Sequence, residues 1–361
     1  MIRSLQIYRG IAALLVVLFH LRLIMEKYFV SGFYSDIWIF GSYGVQFFFV
    51  LSGFIIFHAH GHQLGQKTAL SNYCFKRINR IYPPYWVITL TLAPFWFFVQ
   101  SFGEPYHKSI SAFIMSIFLL PQSHYPHLGV GWTLVHEVFF YALFATLFIN
   151  RRFLYAGFVW GLAILTYCFF GLTSHYVIDF IFSPYNLLFL AGICVCIGHQ
   201  RLTNRESYAF AAIGLGIFLF VGGGILVFYG TFSDGFVGIF YFGMASVSLV
   251  FGSNIRHIEN KYFSNKFLLF LGSASYSIYL VHYPILSGTS KLLLALKLDE
   301  ILANVVVWIM LFSIAVIVGC AFRVFVEMPL ARYGTSLYRR LENSRQDIAG
   351  SNRRMKLGYK G

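Results

Sequence analysis

Acidic side chains are scarce in this chain: 13 Asp and Glu among 361 residues, against 27 Lys and Arg. Charged residues of both signs make up only 11%, where a soluble domain carries about a quarter, so an ordinary soluble fold is excluded. Cysteine is sparse and unpatterned. Cys74, Cys168, Cys194, Cys196 and Cys320 form neither a CxxC nor a His/Cys ligand spacing, which removes a disulfide framework or a zinc ribbon from consideration. No small-x-small cleavage pattern follows the first apolar stretch, so that stretch is expected to stay as a helix and not to act as a secretory leader. What fills the chain instead is apolar: 58% hydrophobic and 20% aromatic residues, the composition of an integral membrane protein. A net charge of +14 invites a nucleic-acid reading, but the basic residues fall at the edges of the apolar runs, where a membrane topology would put them.

At about twenty residues per crossing, the fold class expected is all-α, a polytopic membrane helix bundle of about ten transmembrane helices. They fall near 5–24, 37–58, 82–101, 131–149, 153–171, 177–198, 208–228, 232–253, 266–288 and 301–326. With the N-terminus inside, inner segments hold twenty Lys and Arg and outer loops hold five. That asymmetry predicts both termini in the cytoplasm. Residues 1–330 form the membrane domain. Residues 331–361 are basic, lack an apolar period and are expected to lie disordered on the anionic inner leaflet.

The outer loop 102–130 contains Ile110 to Leu120, apolar but too short to cross and flanked by Pro105, Pro121 and Pro126, which predicts a re-entrant or interfacial segment. Its histidines, His107, His124 and His127, are expected to be solvated. His124-x-x-His127 has no further ligands, and no metal is expected.

The chemistry begins with Arg9 and His20, eleven positions apart in the first apolar run. They share a helix face and lie about 16 Å apart along its axis. Ionisable groups at membrane depth are costly and usually face a protein interior or a wet cavity. Placed by depth, His20, Glu137 and His282 fall in the outer half, where a carboxylate beside an imidazole would make a general base; a structural ion pair is the plain alternative for Glu137. Tyr276, Tyr279 and His282 run at i, i+3, i+6 along one side of the ninth span. Together with Trp132 they are candidate substrate-binding residues, although belt packing explains the tyrosines equally well. An inner cationic layer holds Arg9, Arg77 and Arg80. Two arginines at i, i+3 could grip a phosphorylated donor, or simply flank the membrane on its positive side.

These motifs resemble the bacterial acyltransferase-3 family of membrane O-acyltransferases. Arg9-x10-His20 is similar to its first-helix signature, and GVQFFFVLSGFII, with Ser52 and Gly53, to its second-helix segment. Arg77-x-x-Arg80 followed by IYPPYW resembles the third. WTLVHEVFFY, with Trp132, Glu137 and Tyr141, resembles the family's W-S-L-x-x-E-x-x-F-Y pattern, with Thr133 in the serine place. SYSIYLVHYP and VEMPL are similar to the late motifs, so the resemblance spans about residues 4 to 330.

The resemblance implies acetyl-coenzyme A, or another acyl-coenzyme A, as cytoplasmic co-substrate. It also implies an acceptor hydroxyl on a lipopolysaccharide, exopolysaccharide or other envelope glycan, handled in the bacterial inner membrane. By position, Arg9 and His20 would be the essential pair, and Arg77 and Arg80 coenzyme A contacts. His20 would act as general base or transient acyl carrier, assisted by Glu137. Some relatives append a hydrolase-like domain; this chain ends without one, so acceptor handling would fall to separate polysaccharide-assembly proteins. The short form resembles the exopolysaccharide acetyltransferases. A proton-coupled transporter or flippase of an envelope precursor is the competing reading, and a membrane scaffold a third.

Overall fold

The computed structural model describes residues 2–29, 36–99, 102–199, 203–228, 236–253 and 264–358, and among them there is no strand. The helices are α1 (Arg3–Tyr28), α2 (Gly44–His60), α3 (Lys67–Phe98), α4 (Ile110–Ile117) and α5 (Trp132–Ile149). They continue with α6 (Phe153–Phe169), α7 (Tyr176–Ile181), α8 (Tyr185–His199), α9 (Asn204–Phe228) and α10 (Phe236–Gly252). The last three are α11 (Lys266–Ala295), α12 (Asn304–Phe322) and α13 (Met328–Gly358).

Every expected span has a helical counterpart. Five stretches among the described residues are long and apolar enough to cross a membrane: Arg3–Tyr28, Trp38–Gln63, Gly129–Ile149, Tyr176–Gly198 and Asn304–Ser344. Phe153–Phe169 and Gly238–Gly252 are apolar but shorter. Bulky side chains such as Tyr155, Phe158 and Val159 on α6 point outward, as a lipid-facing surface requires.

Two close crossings set the frame. α1 lies along α11 and α2 along α8. A Cβ on Gly272 would overlap the Gln6 carbonyl oxygen, and Gly53 and Gly192 meet the backbones of Phe189 and Val50 in the same way. Small residues let helices approach closely in lipid, where packing rather than hydrophobicity holds them together. One apolar core gathers around α2, α3, α5 and α8, and a second joins α1, α11 and α12.

Three departures from the sequence reading have physical causes. First, α3 begins fifteen residues before the span expected at 82–101, so Arg77 and Arg80 sit on a helix and not ahead of one. Pro83 and Pro84 lie inside it, where proline normally breaks the ladder. Tyr276 of α11 donates to the Ile81 carbonyl at 2.8 Å, which ties this proline turn to α11.

Second, the span at 177–198 is split at Ser183–Pro184 into α7 and α8. Asn186 repairs the break by donating to the carbonyls of Phe180 (2.8 Å) and Ile181 (3.1 Å). A broken helix in a bilayer needs that kind of internal replacement.

Third, the tail expected to be disordered is helical over Met328–Gly358. Its first half is held on α3: Asn79 donates to the Ala331 carbonyl at 3.1 Å, and Tyr338 stacks on Phe75 with ring centroids 4.1 Å apart.

Candidate functional site

The arrangement has two centres along the α1–α11 seam. The first centre is a cavity of about 70 Å³ lined by Arg9, Ser52, Arg77, Arg80, Thr133, Glu137, Tyr141, Ser275, Tyr276 and Tyr279, among apolar residues of α2 and α5. Arg9 is only 8% exposed; it donates to the Gln6 side chain at 3.4 Å and lies within electrostatic reach of Arg80, Glu137 and Glu327.

Glu137 does not meet a guanidinium directly. Its carboxylate accepts a short hydrogen bond from Tyr141 and another from Ser52 at 3.2 Å, while Ser52 and Tyr141 lie 3.1 Å apart. Arg77 stands over the Tyr141 ring at 5.7 Å. Its Nε and Nη1 are buried with no hydrogen-bond partner, and so is Ser275 Oγ. Three cations against one lining carboxylate leave an excess of positive charge and unused donors, which is an environment built to receive an anion.

The second centre is a pair of histidines. His282 is fully buried, and its Nδ1 lies 2.6 Å from the Tyr279 carbonyl and 3.2 Å from that of Ile278. Carbonyls only accept, so Nδ1 carries the proton and Nε2 presents a lone pair. That lone pair faces His20 Nδ1 at 3.1 Å, and His20 Nδ1 also lies 3.0 Å from the Val16 carbonyl. Both neighbours are acceptors, so His20 Nδ1 carries its proton too. Its Nε2 is then unprotonated, and it has no hydrogen-bond partner among the described residues. That is the form a general base requires. The Tyr283 ring flanks His20 at 5.5 Å.

The expected triad of His20, Glu137 and His282 is therefore corrected. His20 and His282 meet, while Glu137 belongs to the cationic cavity, at the level of Arg9 and about three turns from His20. Depth estimated from position within a span could not separate the two levels. Tyr279 connects them: its ring lines the cavity and lies 5.7 Å from that of His282, and its hydroxyl bonds Thr133 and the Val130 carbonyl, each at 2.9 Å.

Tyr276 lines the cavity as well as bonding α3. Trp132 does not line it; it packs against Tyr185 at 5.0 Å and against Phe49 and His136. The sequence reading missed Ser275 and the His136–Asn186 hydrogen bond of 3.0 Å. A polar residue in the middle of each apolar run was the available signal.

The IYPPYW motif has a different task. Tyr82, Tyr85 and Trp86 donate to the carbonyls of Phe118 (3.1 Å), Ser116 (2.7 Å) and Ile117 (2.9 Å). These carbonyls lie at the C-terminus of α4, where helix acceptors run short of intrahelical donors, so the motif fastens this short helix to the middle of α3.

Two of the loop histidines expected to be solvated are buried: His107 is 7% and His127 3% exposed. Each Nε2 faces the other's backbone carbonyl at 3.2 Å and so donates to it. His107 Nδ1 accepts from the Glu104 amide at 2.7 Å. Burial lowers the His107 pKa, and burial together with the His107 charge pushes His127 down from the ordinary 6.5 to about 4. The folded loop therefore binds fewer protons than the unfolded chain between about pH 4 and 6.5. Its stability is complete above that window and falls as pH drops through it. Amide exchange across residues 102–127, measured relative to a free peptide, is expected to rise between about pH 7 and pH 5; unchanged protection would contradict the latch. Among the described residues, no group of three or more His, Cys, Asp or Glu comes together as a metal site.

No solved structure matches this chain. A curated relative, the exopolysaccharide production protein ExoZ of Rhizobium meliloti (strain 1021), is 28% identical over 313 residues, covering 81% of this chain and 90% of the relative. The family described as "Acyltransferase domain" matches residues 2–324. A span of that length takes in the cationic cavity and the histidine pair together, and the chain belongs to this acyltransferase-3 family of membrane enzymes.

Proposed function

We propose that the protein transfers an acetyl group from cytoplasmic acetyl-coenzyme A to a hydroxyl of an exported or envelope glycan, within the bacterial inner membrane. Ten crossings with both termini in the cytoplasm, the arrangement favoured by the distribution of Lys and Arg, put the cationic cavity below and the histidine pair above. The observation that carries the reading is that vertical order on one helix pair. Arg9 of the anion-seeking cavity and the base His20 lie about 16 Å apart along α1, joined through Tyr279.

In this reading Arg77 and Arg80 hold phosphate of the donor, and the thioester arm extends along the α1–α11 seam. His20 Nε2 takes the proton of the acceptor hydroxyl, and the oxygen attacks the thioester carbonyl. The carbon–sulfur bond then breaks, and the departing thiolate takes up a proton. His282 supports the imidazolium by accepting from its Nδ1–H. Arg9 offsets negative charge on the donor side. Glu137, bonded to Tyr141 and Ser52, keeps the cavity from carrying three uncompensated cations. The narrow free space favours a short acyl group over a fatty chain. The printed name of the Rhizobium relative favours an exopolysaccharide as acceptor, and the family membership favours transfer chemistry over transport.

The test uses purified protein in sealed vesicles with radiolabelled acetyl-coenzyme A outside and host glycan inside. The expected result is base-labile label on the glycan. Accumulation of solute without esterification would support the transporter reading instead.

A further inference from the structure

The outer loop carries a feature that the transfer chemistry has not used. Four rings follow one another outward from α3: buried Trp96 lies near-parallel to His107 at 5.5 Å, His107 lies 4.2 Å from Tyr106, and Tyr106 stacks on His124 at 4.2 Å. His124 ends the column half-buried, and Tyr125 beside it is 62% exposed. The histidine latch and the three aromatic bonds from α3 hold this column rigid. An exposed ring such as Tyr125 set beside so fixed a column is unusual for a loop, whose tips are ordinarily polar and mobile.

Its position ties it to the histidine pair. Tyr106 lies within electrostatic reach of Glu104, Tyr125 and Tyr283, and Tyr283 flanks His20. Further along α11, Lys291 sits over the Phe102 ring at 4.8 Å, so the loop approaches α11 at both Phe102 and Tyr106. A ligand resting on His124 and Tyr125 would therefore border the site where His20 meets its acceptor.

We propose that this loop is the acceptor-docking platform: Tyr125 and the outer face of His124 stack against the C–H face of a saccharide ring, while Glu104 and the Tyr106 hydroxyl bond its hydroxyls. The inference rests on His20 being the base that meets the acceptor. Flat carbon faces ringed by hydroxyls are the chemistry that separates a sugar from a lipid tail, and the platform supplies a match for each. Rings contribute area at low entropic cost, and a carboxylate accepts from hydroxyls more strongly than a neutral group does.

The test compares wild type, the double variant Tyr125→Ala/Glu104→Gln and the single variant Tyr125→Trp, expressed in cells lacking the native gene. Acetyl ester content of the host glycan is the first readout, and equilibrium binding of coenzyme A to the purified proteins the second. The double variant is expected to lower glycan acetylation about tenfold with coenzyme A binding unchanged, and Tyr125→Trp to retain acetylation. Wild-type acetylation in the double variant would overturn the platform, as would loss of coenzyme A binding alongside it or failure of Tyr125→Trp. If the wild-type protein itself adds no ester to any glycan, the transferase reading falls, a result distinct from loss of the platform alone.

Discussion

His20→Gln is expected to lower acyl transfer by about 10²–10⁴-fold, the usual contribution of a positioned general base, with the protein still folded in the membrane. Glutamine can keep one hydrogen bond toward Val16 or His282, so the α1–α11 seam, held by Gly10 and Gly272, stays closed. It cannot take a proton from a hydroxyl. His282 sharpens the expectation. Because its Nδ1 proton is fixed by two carbonyls, it can only accept from His20, which leaves the reactive nitrogen of His20 directed away. The measurement is turnover against the melting temperature of the same preparation. Transfer at wild-type rate in His20→Gln would remove the imidazole from the reaction.

Arg77→Met is expected to act in opposite directions on stability and on donor binding. The buried Nε and Nη1 of Arg77 have no hydrogen-bond partner, so their desolvation is offset only by the Tyr141 ring below the guanidinium. Replacing it with an apolar side chain of similar length should leave the melting temperature unchanged or raise it. Coenzyme A should then bind roughly ten- to a hundredfold more weakly, as for the loss of one charge-assisted hydrogen bond of about 1.5–3 kcal/mol. Calorimetric titration and a melting curve on one sample check both halves. A variant that melts lower and binds donor normally would mean that Arg77 is only a structural flank of the membrane.

Much of the fold could be read in advance because lipid imposes a single rule, about twenty apolar residues per helix. The rule finds α1, α5 and α12 within a few residues. It fails where a side chain replaces a backbone partner. Asn186 allows a helix to break at Pro184, and Tyr276 ties another to α11 beside Pro83 and Pro84; neither contact is visible as periodicity. The tail failed for a related reason, since its helix is held by Asn79 and Phe75, some 250 positions earlier in the chain.

Within the site, residues on one helix were placed well and residues on different helices were not. Arg9 and His20 share a face because 3.6 residues make a turn. Whether Glu137 faces the arginines or the histidines depends on how far α5 slides along α1, and no spacing in the sequence records that. The loop histidines show the same limit. Pairing each imidazole with the other's backbone requires a fold of the loop that no local pattern in the sequence encodes.

The aromatic hooks of α3 have a further consequence. Arg77 and Arg80 on one side, and Tyr82, Tyr85 and Trp86 on the other, occupy ten consecutive positions of a single helix. The guanidiniums that would grip the donor and the anchors of the 102–130 loop are thus cut from one rod. Inserting a single residue between Arg80 and Tyr82 would swing one group against the other by about 100°, and the cavity and the loop would lose alignment at a stroke. The length of that ten-residue segment is therefore under tighter constraint than the identity of most side chains along it.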